Sequence, residues 1–153
     1  MGQYTSADPI GLLGGMREWG YVKYPNRQID ALGLAPKLSG VGPYRTMGGH
    51  HIHAQSAFKG NPNYSPKDAL TISNKYMKCK GLNHNAMTRK QRQLFDELAR
   101  SGRGNTMAEQ DWIATQALIA GGANPAEAAM LTGLSRANLL AQGVTSPSKI
   151  PWN

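Results

Sequence analysis

Apolar positions follow two regimes along this chain. From about residue 88 onward they recur at helical spacing, whereas before it they come in short runs cut by glycine and proline. Thr88-Arg89-Lys90-Gln91 has the form of a capping box, and Leu94, Phe95 and Leu98 follow on one face until Ser101-Gly102. Thr106-Met107-Ala108-Glu109 is a second such box, opening a helix that carries Trp112, Ile113, Ala117 and Leu118 and stops at Gly121-Gly122. Asn124 before Pro125 predicts a third helix, ending near Gly133, and Ser135 a short fourth through Leu139 and Leu140 to Gly143. Trp112 and the leucines read as core, and the tail residue Trp152 is expected to tuck onto the domain. Upstream, Ile52 suits a short strand and Asp68–Ser73 a second one, separated by a loop rich in turn formers between Lys59 and Pro66. Gly40, Gly42 and Pro43 argue against a regular element before Tyr44.

The expected fold class is α+β: a small strand-containing core with several C-terminal helices, preceded by an irregular or β-like N-terminal arm. In residues 1–34 aromatic and branched positions alternate with Asp-Pro and Gly-Gly turns, too short a stretch to bury a core alone. That gives an arm over 1–34, a linker over 35–45 and the principal domain over 46–153.

The 153 residues contain 17 Lys and Arg against 9 Asp and Glu. Residues 1–34 balance at three and three, residues 37–103 carry twelve against three, and residues 104–153 two against three. A basic field confined to the middle of the chain suits a polyanion, with nucleic acid the usual one. Lys75, Lys78, Lys80, Arg89, Lys90 and Arg92 are the candidates for contacting it. The single Cys79 excludes an intrachain disulfide and a Cys-x-x-Cys zinc site, which disfavours a zinc deaminase. An idle or buried thiol is expected. No apolar run approaches the ~18 residues of a membrane span, and the first residues lack a signal-peptide core.

Inside the basic region, Gly48-Gly49-His50-His51-Ile52-His53 holds three of the four histidines, and His84 is the fourth. With Ile52 facing a core, strand alternation puts His51 and His53 on the opposite face, and His50 with Ile52 unless the strand starts or bulges there. Imidazole ligates metals and titrates near neutrality, so such a cluster can hold a divalent ion and place a base beside it. A polar turn with exposed histidines is the alternative. Strand, loop, strand and helix also follow in the order of a ββα-metal finger. Such a finger brings the first strand's end beside the helix start, and phosphodiester hydrolysis there needs an activated water and charge neutralisation.

The N-terminal segment resembles a known family. Asp8-Pro9-Ile10-Gly11-Leu12, then Gly20-Tyr21-Val22, then Pro25 leading to Asp30-Ala31-Leu32-Gly33-Leu34 are similar to the end of an Rhs-repeat core. That core is a β-cocoon around a C-terminal toxin, closing with Pro-x-x-x-x-Asp-Pro-x-Gly-Leu, after which the family cleaves itself. Asp30, Gly33 and Leu34 match the cleavage motif, while Ala31 stands where the family has proline. No protease activity is expected of this chain itself.

Residues 48–100 resemble the HNH/endonuclease VII superfamily, in the toxin branches named for a small residue followed by His-His. The resemblance implies His50 as a metal ligand, His51 as general base and His53 in a supporting catalytic role. It implies a further ligand near the helix, His84 first and Asn74 as its competitor, around one Mg, Mn, Ni or Zn ion. No histidine lies inside residues 89–101, where other HNH enzymes carry a helical pair.

Together the two resemblances imply a polymorphic toxin's C-terminal part. It would be exported by a bacterium, commonly through type VI secretion, to act on DNA in the target cell's cytoplasm. Its partners would be the rest of the Rhs core and a cognate immunity protein. Two other readings stand beside a metal-dependent DNA endonuclease: a metal-independent ribonuclease toxin, and a non-enzymatic, metal-stabilised nucleic-acid-binding module.

Overall fold

The histidine-rich stretch before Ile52 and the β-prone run before Ser73 meet in one small sheet. In a computed structural model, which describes residues 39–152, three short strands form an antiparallel sheet: β1 (Val41–Pro43), β2 (His50–His51) and β3 (Leu70–Ile72), with β3 in the centre. Val41 and His50 both lie opposite Ile72, and Gly42 and His51 both lie opposite Thr71. Strand β1 is a finding against the glycine and proline signals. Pro43 can sit there because β1 is an edge strand, where a missing N–H is tolerated. A four-residue helical turn, α1 (Tyr44–Met47), links β1 to β2.

The link ends in Gly48 and Gly49, at φ 64° and 84°. A Cβ on Gly49 would overlap the Ile72 carbonyl oxygen, so the chain enters β2 along β3 only because that position lacks a side chain.

Four helices follow: α2 (Asn74–Lys80), α3 (His84–Ser101), α4 (Met107–Ala120) and α5 (Pro125–Ala141). Helix α2 was not expected. The Ser73 hydroxyl accepts from Tyr76 N at 3.1 Å and turns the end of β3 into a helix. Helix α3 starts one turn before Thr88. Asn83 caps it, accepting from Ala86 N at 2.8 Å, and the Asn83 amide donates to Gly121 O at the end of α4. Thr106 and Asn124 cap α4 and α5 as their spacing predicts.

Helix α5 runs through Gly133 and Ser135 without a break. Its C-terminal half holds the loop between β2 and β3. Gln142 Oε1 accepts from Ser65 N at 2.8 Å, Asn138 Oδ1 from Leu70 N at 3.2 Å, and Asn138 Nδ2 donates to Asp68 O at 3.2 Å. Those bonds need a continuous helix, which outweighs the modest helix penalty of one glycine.

The core joins Ala54, Ala57 and Phe58 to Leu94, Phe95, Leu98, Met107, Ile113, Leu139 and Val144. Trp112 is 46% exposed rather than core. The buried positions of α4 are Met107, Gln110, Ile113, Ala114, Ala117 and Leu118, and Trp112 falls off that stripe by one helical step. Leu140 is exposed for the same reason beside buried Leu139, and Cys79 is exposed. Among the described residues no helix is long and apolar enough to cross a membrane.

Two glycines test this architecture by denaturant unfolding. Gly133 is exposed, with nothing within 4 Å of a Cβ. Inside a continuous helix, Gly133→Ala should raise stability by ~0.5–1 kcal/mol, whereas a helix ending there would lose stability. Gly49→Ala should lower it by more than ~2 kcal/mol, because both the backbone angle and the space are denied.

Candidate active site

His50 and His51 border one open cavity of about 670 Å³, reached also by Tyr44, Lys59, His84 and Trp152. The sheet edge supplies the first two, and the start of α3 brings His84 across to them. The Asn83–Gly121 bond sets where α3 begins, and Gly121 leaves room for Met87 beneath it.

The His50 side chain is buried, and its ring meets that of His84 edge to face, with centroids 5.0 Å apart. Its Nε2 is buried with no hydrogen-bond partner. Burial, and then the neighbouring His84 and His51, lower the His50 imidazole to about 3, so it is neutral over the ordinary pH range. Two adjacent imidazoles, one with an unengaged buried nitrogen, form a donor pair of a kind divalent cations take. Among the described residues no group of three or more His, Cys, Asp and Glu side chains converges.

His51 is held differently. Its Nε2 lies 3.0 Å from the Pro66 carbonyl, and Tyr44 stacks on the ring at 4.6 Å. A carbonyl can only accept, so Nε2 carries the proton and Nδ1 has the free lone pair. Burial lowers the ring's pKa, against an opposing contribution from the Pro66 bond. The result is a fixed, neutral imidazole whose tautomer is set from the loop.

His53 does not join them. The strand ends at His51, so alternation no longer governs His53, and a bend turns it inward. One ring nitrogen lies 2.9 Å from Asp111 Oδ1 on α4, the other 2.8 Å from Ser135 Oγ on α5, and Asp111 also pairs with Arg136. The connectivity is that of a Ser-His-Asp relay, but Ser135 is 2% exposed and no substrate reaches it. His53 ties β2 to two helices and does not border the cavity.

Asn74, the competing ligand, lies apart from the histidines. It is the exposed first residue of α2 and does not border the cavity. Of the expected nucleic-acid contacts, Lys75, Lys78 and Lys80 lie on α2 and Arg89, Lys90 and Arg92 on α3, outside the cavity lining. Lys80 pairs with Glu127 at 2.8 Å, and Arg92 lies over Trp152. The cavity's own cation is Lys59, from the loop after the histidines. Neither Tyr44 nor the Pro66 carbonyl was foreseen, since stacking and backbone acceptors leave no spacing signal. Asp30, Gly33 and Leu34 lie outside the described residues.

In its N-terminal region the chain is similar to "Probable deoxyribonuclease RhsB" of Dickeya dadantii (strain 3937), with 56% identity over 34 residues. That is 22% of this chain and 2% of the relative's length. No family model matches the chain, and no solved structure matches it.

His50 makes stability depend on pH in a defined direction. Below about 6.5 the unfolded chain binds a proton that the folded state refuses until about 3, so stability is complete above that window and lost as pH falls through it. In EDTA, unfolding should become easier by on the order of 3 kcal/mol between pH 7 and 4, and His50→Gln should remove most of that slope. His53→Ala should cost roughly 2–4 kcal/mol by denaturant titration, because it leaves Ser135 Oγ and Asp111 Oδ1 without the ring that joins them.

Proposed function

We propose that this domain is a metal-dependent endonuclease that hydrolyses DNA, built as a ββα-metal site. The observation that carries the reading is the pairing of His51, fixed with Nδ1 as its base, with His50 and His84 as adjacent donors in a cavity bordered by Lys59. The sheet edge, the β2–β3 loop and the start of α3 supply these groups, with β3 and then α2 lying between loop and helix.

In this reading His51 Nδ1 takes a proton from a water, whose oxygen attacks phosphorus. The P–O bond to the departing sugar oxygen breaks, and that oxygen leaves as a hydroxyl after taking up a proton from solvent water. Tyr44 and the Pro66 carbonyl hold the base still. His50 and His84 would hold a divalent cation, which supplies charge neutralisation at the phosphate. Lys59 adds a fixed positive charge for the backbone without reading sequence.

The histidine held neutral at His50 is a poor general acid, which favours this reading over a metal-independent ribonuclease. The similarity to the probable deoxyribonuclease RhsB supports reading the chain as part of a larger Rhs protein. On that basis we propose a toxin secreted by the producing bacterium, acting in the target cell's cytoplasm and neutralised by a cognate immunity protein. The basic middle of the chain favours an acidic surface on that partner.

Supercoiled plasmid incubated with the protein and Mg²⁺, Mn²⁺, Ni²⁺ or Zn²⁺ tests this. Nicking should require the metal, stop in EDTA and fall by roughly 10²- to 10⁴-fold in His51→Ala. His50→Ala should lose activity and metal affinity together. Cleavage that persists in EDTA, or plasmid and RNA both left intact with every metal, would sink the reading.

A further inference from the structure

Beyond the histidines, the cavity has an aromatic wall that the hydrolytic reading does not use. The C-terminal segment is bolted down immediately before Trp152. The Ser148 and Lys149 amides donate to the Ala57 carbonyl at 2.7 and 3.2 Å, Ile150 packs on the core and Pro151 is buried. The backbone then turns to φ 62° at Trp152, the one non-glycine residue with positive φ among the described residues. A bulky residue in the left-handed region is held there against its own preference, and such positions gather at functional sites.

What that turn achieves is the placement of the indole. Arg92 lies over the ring at 5.4 Å and Phe95 meets it at 5.8 Å, yet the residue is 51% exposed and borders the cavity that holds His50, His51 and His84. If the tail served only to seal Phe95, an ordinary backbone and a buried ring would do it. A propped, half-open indole beside a phosphate-processing cleft is the geometry of a base-stacking platform, with Arg92 supplying charge behind the ring.

We propose that Trp152 stacks an unpaired nucleobase next to the scissile phosphate, so that the enzyme engages single-stranded or locally melted DNA in preference to intact duplex. This rests on the nuclease reading. It makes Trp152 a positioning residue, since it touches a base and not the reacting phosphorus. A base inside a duplex presents only its edges, so only a strand with an exposed base face gains from the indole.

The test separates the two ideas by reading binding apart from cleavage. A labelled oligonucleotide and its duplex are titrated with wild-type protein, Trp152→Ala and Trp152→Phe in EDTA, and the same variants are assayed for plasmid nicking with metal. Wild type should prefer the single strand. Trp152→Ala should lose roughly 5- to 100-fold in single-strand affinity with little change for duplex, and Trp152→Phe should recover most of it. In cleavage the loss should fall on KM rather than kcat. Single-strand affinity unchanged in Trp152→Ala, or single-strand and duplex affinities falling equally in both variants, would overturn the platform, whatever the nicking result. Selective loss of single-strand binding without cleavage of any substrate would keep the platform and sink the nuclease.

Discussion

The missing side chain at Gly49 is the constraint on which the site depends. It lets the chain lie against the Ile72 carbonyl, which sets β2 beside β3 and puts His50 opposite Ile72 and His51 opposite Thr71. From that register follow the burial of His50 under α3 and the reach of His51 to the Pro66 carbonyl. Two neighbouring histidines acquire different chemistry because one is desolvated against another imidazole and the other is pinned by an acceptor. Neither difference lies in the residues themselves.

The sequence revealed features whose cause is local. The Thr106 and Asn124 caps are written in four residues each, and the apolar stripe of α3 in its own spacing. Where a distant segment decides, local signals misled. Gly133 is a helix terminator on its own terms, but Asn138 and Gln142 are wanted nine or fewer residues later to hold the β2–β3 loop, so the helix continues. Thr88 offers a good cap, yet Asn83 wins because its amide also binds Gly121 O. Val41–Pro43 becomes a strand because β3 has a free edge to fill.

The candidate site divides in the same way. The His50-His51 pair stands out as a cluster after two glycines in a basic region. Alternation assigned His53 to the same face, and it failed because β2 is only two residues long. Tyr44, the Pro66 carbonyl and Trp152 reach the cavity through α1, the loop and the tail, so no motif unites them. Positive charge followed that pattern too. The run of lysines marks α2 and α3, while the cation at the cavity comes from a loop that composition reads only as turns.

The bonds from Asn138 and Gln142 to the loop carrying Pro66 span about seventy residues of chain. The acceptor that fixes the tautomer of His51 is thus held in place by α5. A chain that is made, or threaded through a narrow passage, from its N-terminal end presents its histidines long before that helix arrives. Through that interval the loop lacks the side chains of Asn138 and Gln142 that hold it. The setting of His51 is therefore a property of loop and helix together, not of the histidine stretch alone.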